Sequence, residues 1–224
     1  MSEKERLRLP SIITGNNAET WKRILQHYSK IIDERPIKIL DPTAGERQIW
    51  HNISYNQTNL YGEKEYDVTF CDIRPLKDTI QCDYRKLPFN IGSFHIIIFD
   101  PPYSERIEMG VIYDAKGRQV YKRYMKMNQK YNLGNTILSE EDIPIILREF
   151  YRVLKRGGYL IIKIQDLKFD WHYKIYNEAK KFGYYKYLGM VIQNYKYSWR
   201  LIVKDKSYEK PQTIHTFWQI FKKE

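Results

Sequence analysis

Three stretches of the chain have the composition and the end signals of helices. In the first, residues 18–33, apolar residues recur every three or four positions, and Pro36 stops the pattern. The second begins at Ser139 and is stopped by the glycine pair 157–158, and the third lies around residues 171–182. The pattern therefore predicts three helices, the first of them amphipathic.

Short apolar runs bounded by polar residues alternate with these helices. They predict six strands, at residues 37–40, 67–70, 94–99, 159–164, 188–193 and 215–221. Strands that alternate with helices form a mostly parallel sheet covered on both faces. Ligands of such sheets bind beyond the carboxyl ends of the strands, so we expect the functional residues at that edge.

Aspartates stand where several of the predicted strands end. Asp41, Asp72 and Asp100 each follow an apolar run, and Asp83 lies in the connection after the second run. Because the carboxyl ends of parallel strands meet at one edge, we expect the four carboxylates to rim a single crevice.

The most specific motif is HIIIFDPPYSER, residues 95–106. A solvated turn rarely places a carboxylate, two prolines and a tyrosine directly after a buried strand. Together with IKILDPTAGERQIW, VTFCDIRP and QCDYRKLPF, in this order and at these spacings, it resembles the motifs of class I S-adenosylmethionine-dependent methyltransferases. Within that family, DPPY is similar to the signature of the branch that methylates exocyclic amino groups of nucleic-acid bases. The similarity covers about residues 37–165, and the closing HTFWQIFKK resembles the last strand of such domains.

The resemblance implies an α/β, Rossmann-like class I methyltransferase fold, with a central, mostly parallel seven-stranded sheet and helices on both faces. We expect residues 1–224 to form a single methyltransferase domain. Residues 1–36 would supply an N-terminal segment and helix, and residues 104–138 a substrate-facing insertion. The implied cofactor is S-adenosyl-L-methionine, and no metal is implied.

The resemblance also implies which residues bind the cofactor. They are Asp41, Pro42, Thr43, Ala44, Gly45, Asp72, Ile73, Asp83 and Tyr84. The loop from Asp41 to Gly45 would surround the amino acid end of the cofactor. Asp72 would bind the ribose hydroxyls, and Asp83 would accept a hydrogen bond from the adenine amino group. The family usually carries a second glycine shortly after the first, but here Glu46 and Arg47 follow Gly45.

The catalytic residues implied by the resemblance are Asp100, Pro101, Pro102 and Tyr103. The Asp100 carboxylate and the Pro101 carbonyl can each accept from the target amino group, which aligns its nitrogen for in-line displacement. Proline restricts the backbone, so that this carbonyl is directed inward. Tyr103 offers a flat face for the base, which a duplex would have to present flipped out.

The charge balance adds a partner. A net charge of +11, together with 20 tyrosines among the basic residues, favours binding to nucleic acid, through phosphate contacts and base stacking. DNA adenine-N6 methylation is the first candidate activity. RNA base methylation, DNA cytosine-N4 methylation and a non-enzymatic nucleic-acid-binding module remain alternatives.

Neither a membrane span nor a secretory signal is visible, so we expect a cytoplasmic protein. The two cysteines, Cys71 and Cys82, lack the number and spacing of a disulfide framework or a zinc site. They are therefore interpreted as small core residues at strand ends.

Overall fold

A computed structural model describes residues 8–58, 62–102, 138–165, 170–194 and 216–224. These ranges contain the helices α1 (Asn17–Ser29), α2 (Asp142–Val153) and α3 (Trp171–Phe182), and a single 3-10 turn at Gln48–Trp50. None of the helices in these ranges has the length and apolarity that crossing a membrane requires.

The strands form one sheet. They are β1 (Ile12–Thr14), β2 (Ile37–Asp41), β3 (Tyr66–Asp72), β4 (Ile80–Gln81), β5 (Phe94–Phe99), β6 (Leu154–Gln165), β7 (Tyr185–Asn194) and β8 (Thr216–Lys223). Their order is β1-β7-β8-β6-β5-β2-β3-β4. Only β8 runs antiparallel to its neighbours β6 and β7, and the other pairs of adjacent strands are parallel. The predicted mostly parallel sheet is therefore confirmed.

The predicted count of seven strands is wrong by one for the described residues, because the sheet has eight. The apolar runs predicted six of the eight strands. The two that they missed are β1, which pairs with the outer side of β7 through Ile12 opposite Ile192, and β4, which pairs with β3 through Ile80 opposite Cys71. Strands of three and two residues are too short to show a period of two, so the amino-acid pattern gave no sign of them.

Two helix ends differ from their predicted positions. Helix α1 ends at Ser29, well before Pro36, and α2 ends at Val153, before the glycine pair. Gly157 and Gly158 lie within β6 and not at the end of the helix. Gly157 has a φ of +76°, and a Cβ on Gly158 would lie 2.8 Å from the carbonyl oxygen of His95. These glycines lie where the register of β6 against β5 shifts, and they let β6 pass close to β5.

The core consists of two layers, one on each face of the sheet, as predicted. Helix α1 and the 3-10 turn cover one face, where Trp21 stacks on Trp218 and meets Trp50 edge to face. Helices α2 and α3 cover the other face through apolar side chains such as Phe150 and Ile175. Burying these large side chains supplies most of the stabilisation of the sheet.

Candidate active site

The strand order reverses between β2 and β5, and the crevice beyond their carboxyl ends is the usual ligand site of such a sheet. Asp41 is the last residue of β2, Asp72 ends β3, and Asp100 directly follows β5. The structure therefore places three of the four expected carboxylates at one edge, as the apolar runs indicated.

The buried side chain of Asp41 stabilises the loop from Asp41 to Gly45 that follows β2. The Asp41 carboxylate accepts hydrogen bonds from the Trp50 indole nitrogen at 2.8 Å and from the Thr43 backbone nitrogen at 3.1 Å. Burial raises the pKa of Asp41 to about 7, and the charges of Asp100 and Asp72 add to the effect. Trp50 was not among the predicted site residues, because its contact with Asp41 forms only when the 3-10 turn folds over the loop.

The loop is tied to both neighbouring strands. The Thr43 hydroxyl accepts a hydrogen bond from the Asp100 backbone nitrogen at 3.0 Å, and Ala44 donates to the Cys71 carbonyl at 2.9 Å. Gly45 has a φ of +51°, which favours glycine. The cofactor loop and the catalytic turn predicted from the sequence are therefore directly connected. Pro42, the remaining residue of this loop, is buried.

Arg47, the second residue after Gly45, adopts a left-handed backbone with a φ of +56°. Its guanidinium lies 4.2 Å from the centre of the Phe70 ring and donates to the carbonyl oxygens of Lys77 and Asp78 and to the Thr79 hydroxyl. The arginine therefore keeps the turn that a glycine would make and ties it to the β3–β4 connection.

Asp72 accepts four hydrogen bonds in the described structure. They come from the Arg74 backbone nitrogen, Nε and Nη2 and from the Gly45 backbone nitrogen, at 2.9–3.0 Å. Burial of Asp72 raises its pKa, but the hydrogen bonds and the charge of Arg74 outweigh this and hold the pKa below its ordinary value. Beside it, the apolar side chain of Ile73 is 39% exposed at the same edge.

Asp83 repeats this arrangement. Its carboxylate accepts from the Arg85 backbone nitrogen, Nε and Nη2 at 2.7–3.1 Å, and Arg85 also reaches Asp142 at 3.5 Å. Burial acts to raise the pKa of Asp83, but Arg85 lowers it further than burial raises it. Tyr84 is buried, and its ring packs edge to face on Phe99, so its side chain belongs to the core under the crevice.

The turn after β5, residues 100–102, holds one contact that no motif predicted. Lys163 on β6 donates to both carboxylate oxygens of Asp100, each at 2.8 Å. Pro101 is buried, and the Pro102 carbonyl accepts from the Leu138 backbone nitrogen at 3.0 Å. Tyr103 and residues 104–137 of the predicted insertion lie outside the described residues.

The sequence did contain signals for the missed partners. Lys163 is a lone cation inside the apolar run YLIIKI, and a buried charge requires a partner. Arg74 and Arg85 each follow an aspartate by two positions, and this repeated spacing is the signal that identifies them.

No protein-family model matches the chain, and no curated protein sequence matches it either. Solved structures do match. A Listeria monocytogenes protein assigned to the class I S-adenosylmethionine-dependent methyltransferases is 15% identical, over 94% of this chain and 60% of its own, with a TM-score of 0.53. TrmN from Thermus thermophilus is 10% identical over 92% of this chain and 49% of its own, with a TM-score of 0.51.

TTHA0409, also from Thermus thermophilus and described as a DNA modification methylase, is 17% identical over 63% of this chain. Its TM-score of 0.38 is too low to support a comparison of folds. This chain spans 50%, 49% and 60% of the lengths of TTHA0409, TrmN and the Listeria protein. At such identities a likeness shows the fold alone. The chain has the fold of the class I S-adenosylmethionine-dependent methyltransferases.

Proposed function

We propose that the protein is an S-adenosylmethionine-dependent methyltransferase that acts on the exocyclic amino group of a nucleic-acid base, with adenine N6 in DNA as the first candidate. The observation that carries this proposal is the position of Asp100, Pro101 and Pro102. They directly follow β5 at the reversal of strand order, and their backbone is bonded to the loop that follows β2.

The edge of the sheet fits the cofactor. Asp72 and Asp83 would supply acceptors for hydroxyl and amino groups once the guanidinium groups of Arg74 and Arg85 move aside. The exposed side chain of Ile73 offers an apolar surface beside Asp72 for a flat ring. Asp41, Thr43 and Gly45 would hold the amino acid end through the loop they shape.

S-adenosylmethionine would supply a methyl group bonded to a positively charged sulfur. The nitrogen of the base would use its lone pair to form the new N–C bond, the electrons of the C–S bond would stay on sulfur, and the proton lost from the nitrogen would pass to solvent water. Asp100 would accept a hydrogen bond from the amino group and stabilise the positive charge that develops on it.

The net charge of +11 supports a polyanionic substrate. Adenine N6 is favoured over cytosine N4 because aspartate, rather than serine, at the first position of DPPY is the more usual pattern for adenine. DNA is the first candidate substrate, and RNA is the alternative. The test is incubation with methyl-labelled S-adenosylmethionine and separate DNA and RNA pools, followed by digestion to nucleosides. Label in N6-methyladenine from DNA supports the first candidate, and label from RNA alone would replace it. Cofactor binding without transfer would leave a binding module.

A further inference from the structure

Lys163 is a buried cation at the candidate site. Its side chain is 8% exposed, and its ammonium bonds both oxygens of Asp100, whose own side chain is 25% exposed. Taking an ammonium out of water is costly, and a buried ion pair often contributes no more stability than a well-packed apolar pair. Stability alone is therefore a weak reason for a lysine at this position.

The position of the ammonium is fixed from its other side. Trp218 lies opposite Lys163 in the β6–β8 pairing, with its ring centre 6.0 Å from the Lys163 nitrogen. The Trp218 indole donates to the Gln193 side-chain oxygen at 3.0 Å, and the Gln193 amide donates to the Gly15 carbonyl at 3.0 Å. The Lys163 ammonium, which bonds Asp100, therefore lies beside Trp218 on β8. Trp218 is in turn fixed through Gln193 on β7 to the backbone after β1.

The contact leaves Asp100 able to accept more. A carboxylate oxygen has about two acceptor positions, and Lys163 uses one on each oxygen. Since a quarter of the Asp100 side chain is exposed, the remaining positions are accessible from the crevice.

We propose that Lys163 is a positioning residue for the methyl transfer. It holds the Asp100 carboxylate in one orientation, so that a lone pair is available to the target amino group. This role rests on the proposed function. Without Lys163, the Asp100 carboxylate would lose both of its hydrogen bonds to β6 and with them its fixed orientation.

The test uses Lys163→Met, which keeps the chain length without the charge, and Lys163→Arg, which keeps the charge. The matched control is Lys223→Met. Lys223 is also a buried lysine, on the adjacent strand β8, and it donates to the carbonyl oxygens of Tyr151 and Leu154 away from the site. For each variant, kcat and KM for the nucleic acid are measured, together with cofactor affinity by calorimetry and the unfolding temperature.

We expect Lys163→Met to lower kcat by about 10²-fold, the cost of losing one preorganised electrostatic group. Its cofactor affinity and KM should stay close to the wild type. Lys163→Arg should keep more of kcat, and Lys223→Met should change only the unfolding temperature.

Two results would overturn the role while leaving the proposed function standing. One is a loss of kcat in Lys163→Met no larger than in Lys223→Met. The other is a loss of kcat in Lys163→Met with no recovery in Lys163→Arg. A wild-type protein that transfers no methyl group to DNA or RNA would instead overturn the proposed function, and this role with it.

Discussion

At the residue scale, Asp100 is the group whose removal has the most direct consequence. Asp100→Ala should lower methyl transfer by about 10³-fold or more, because the amino group loses its charged acceptor. Binding of S-adenosylhomocysteine, measured by calorimetry, should stay nearly intact, since the loop from Asp41 to Gly45 keeps its own hydrogen bonds. Asp100→Asn separates charge from shape, and Asp33→Ala, at an exposed position, is the control. Loss of cofactor binding in either Asp100 variant would place this residue in the cofactor site.

Asp41 gives the stability of the protein a pH dependence of defined sign. Its pKa is raised by burial to about 7 in the folded state, against about 3.9 in an unfolded chain. The folded state therefore binds the proton more tightly, and the contribution of Asp41 to the free energy of unfolding falls as pH rises from about 4 to about 7.

The measurement is urea unfolding of the wild type and Asp41→Asn at several pH values in this window. The asparagine has one acceptor oxygen for two donors, Trp50 and Thr43, so the variant should be less stable at every pH. Its slope against pH should nevertheless be less negative than that of the wild type. Asp72 and Asp83, whose pKa values are lowered, contribute the opposite slope in both proteins. Parallel curves would show that Asp41 does not titrate here.

Asp72 has no acceptor position left for a ribose. A carboxylate accepts about four hydrogen bonds, and Arg74 and Gly45 supply four. If the ribose hydroxyls bind Asp72, the guanidinium must leave first, so Arg74→Met should tighten S-adenosylhomocysteine binding several-fold. Asp72→Asn should weaken it. Calorimetry on both variants measures whether the affinity for S-adenosylhomocysteine rises in Arg74→Met and falls in Asp72→Asn. Weaker binding in Arg74→Met would mean that Arg74 itself binds the ligand.

At the element scale, Gln193 joins the additional strand to the rest of the sheet. It is fully buried on β7 and bonds both the Gly15 carbonyl after β1 and the Trp218 indole on β8. Gln193→Leu should lower the free energy of unfolding by about 1–3 kcal/mol, because it leaves buried polar groups unpaired. Gln81→Leu, at an exposed position on β4, should change it by about 0.5 kcal/mol or less. Urea unfolding measures both changes. Equal losses in the free energy of unfolding would show that Gln193 does not join β1 to the rest of the sheet.

The elements also show how far the sequence could go. The strands β2, β3, β5, β6, β7 and β8 and all three described helices were predictable, because each is long enough to display its apolar pattern. Strands β1 and β4, of three and two residues, are not, because their partners β7 and β3 decide whether they form. The end of α1 was predicted too late, at residue 33, whereas the helix ends at Ser29. Pro36 marks a position beyond which a helix cannot continue, but the helix can stop before it.

For the candidate site, the carboxylates were predictable and most of their partners were not. Asp41, Asp72 and Asp100 follow apolar runs, so the sheet edge fixes their positions. The contact of Lys163 with Asp100 spans 63 residues of sequence and depends on the register of β5 against β6. A motif carries no information on that register, whereas the arginines two residues after Asp72 and Asp83 are local and could have been recognised.

At the scale of the whole molecule, the fold accounts for where the site lies, and the net charge of +11 makes a prediction about its substrate. A protein that neutralises phosphates releases counterions, so log K falls with log salt by about 0.9 for each duplex phosphate contacted. Fluorescence polarisation with labelled duplex DNA and single-stranded RNA, at salt concentrations from about 50 to 200 mM, should show this slope for the true substrate class. A polymer bound only through general charge should gain no affinity when S-adenosylhomocysteine is added. If the lysines merely reflect composition, both polymers should bind weakly, with no measurable affinity left at about 200 mM salt. An affinity that does not change with salt would show that phosphate contacts are not its source.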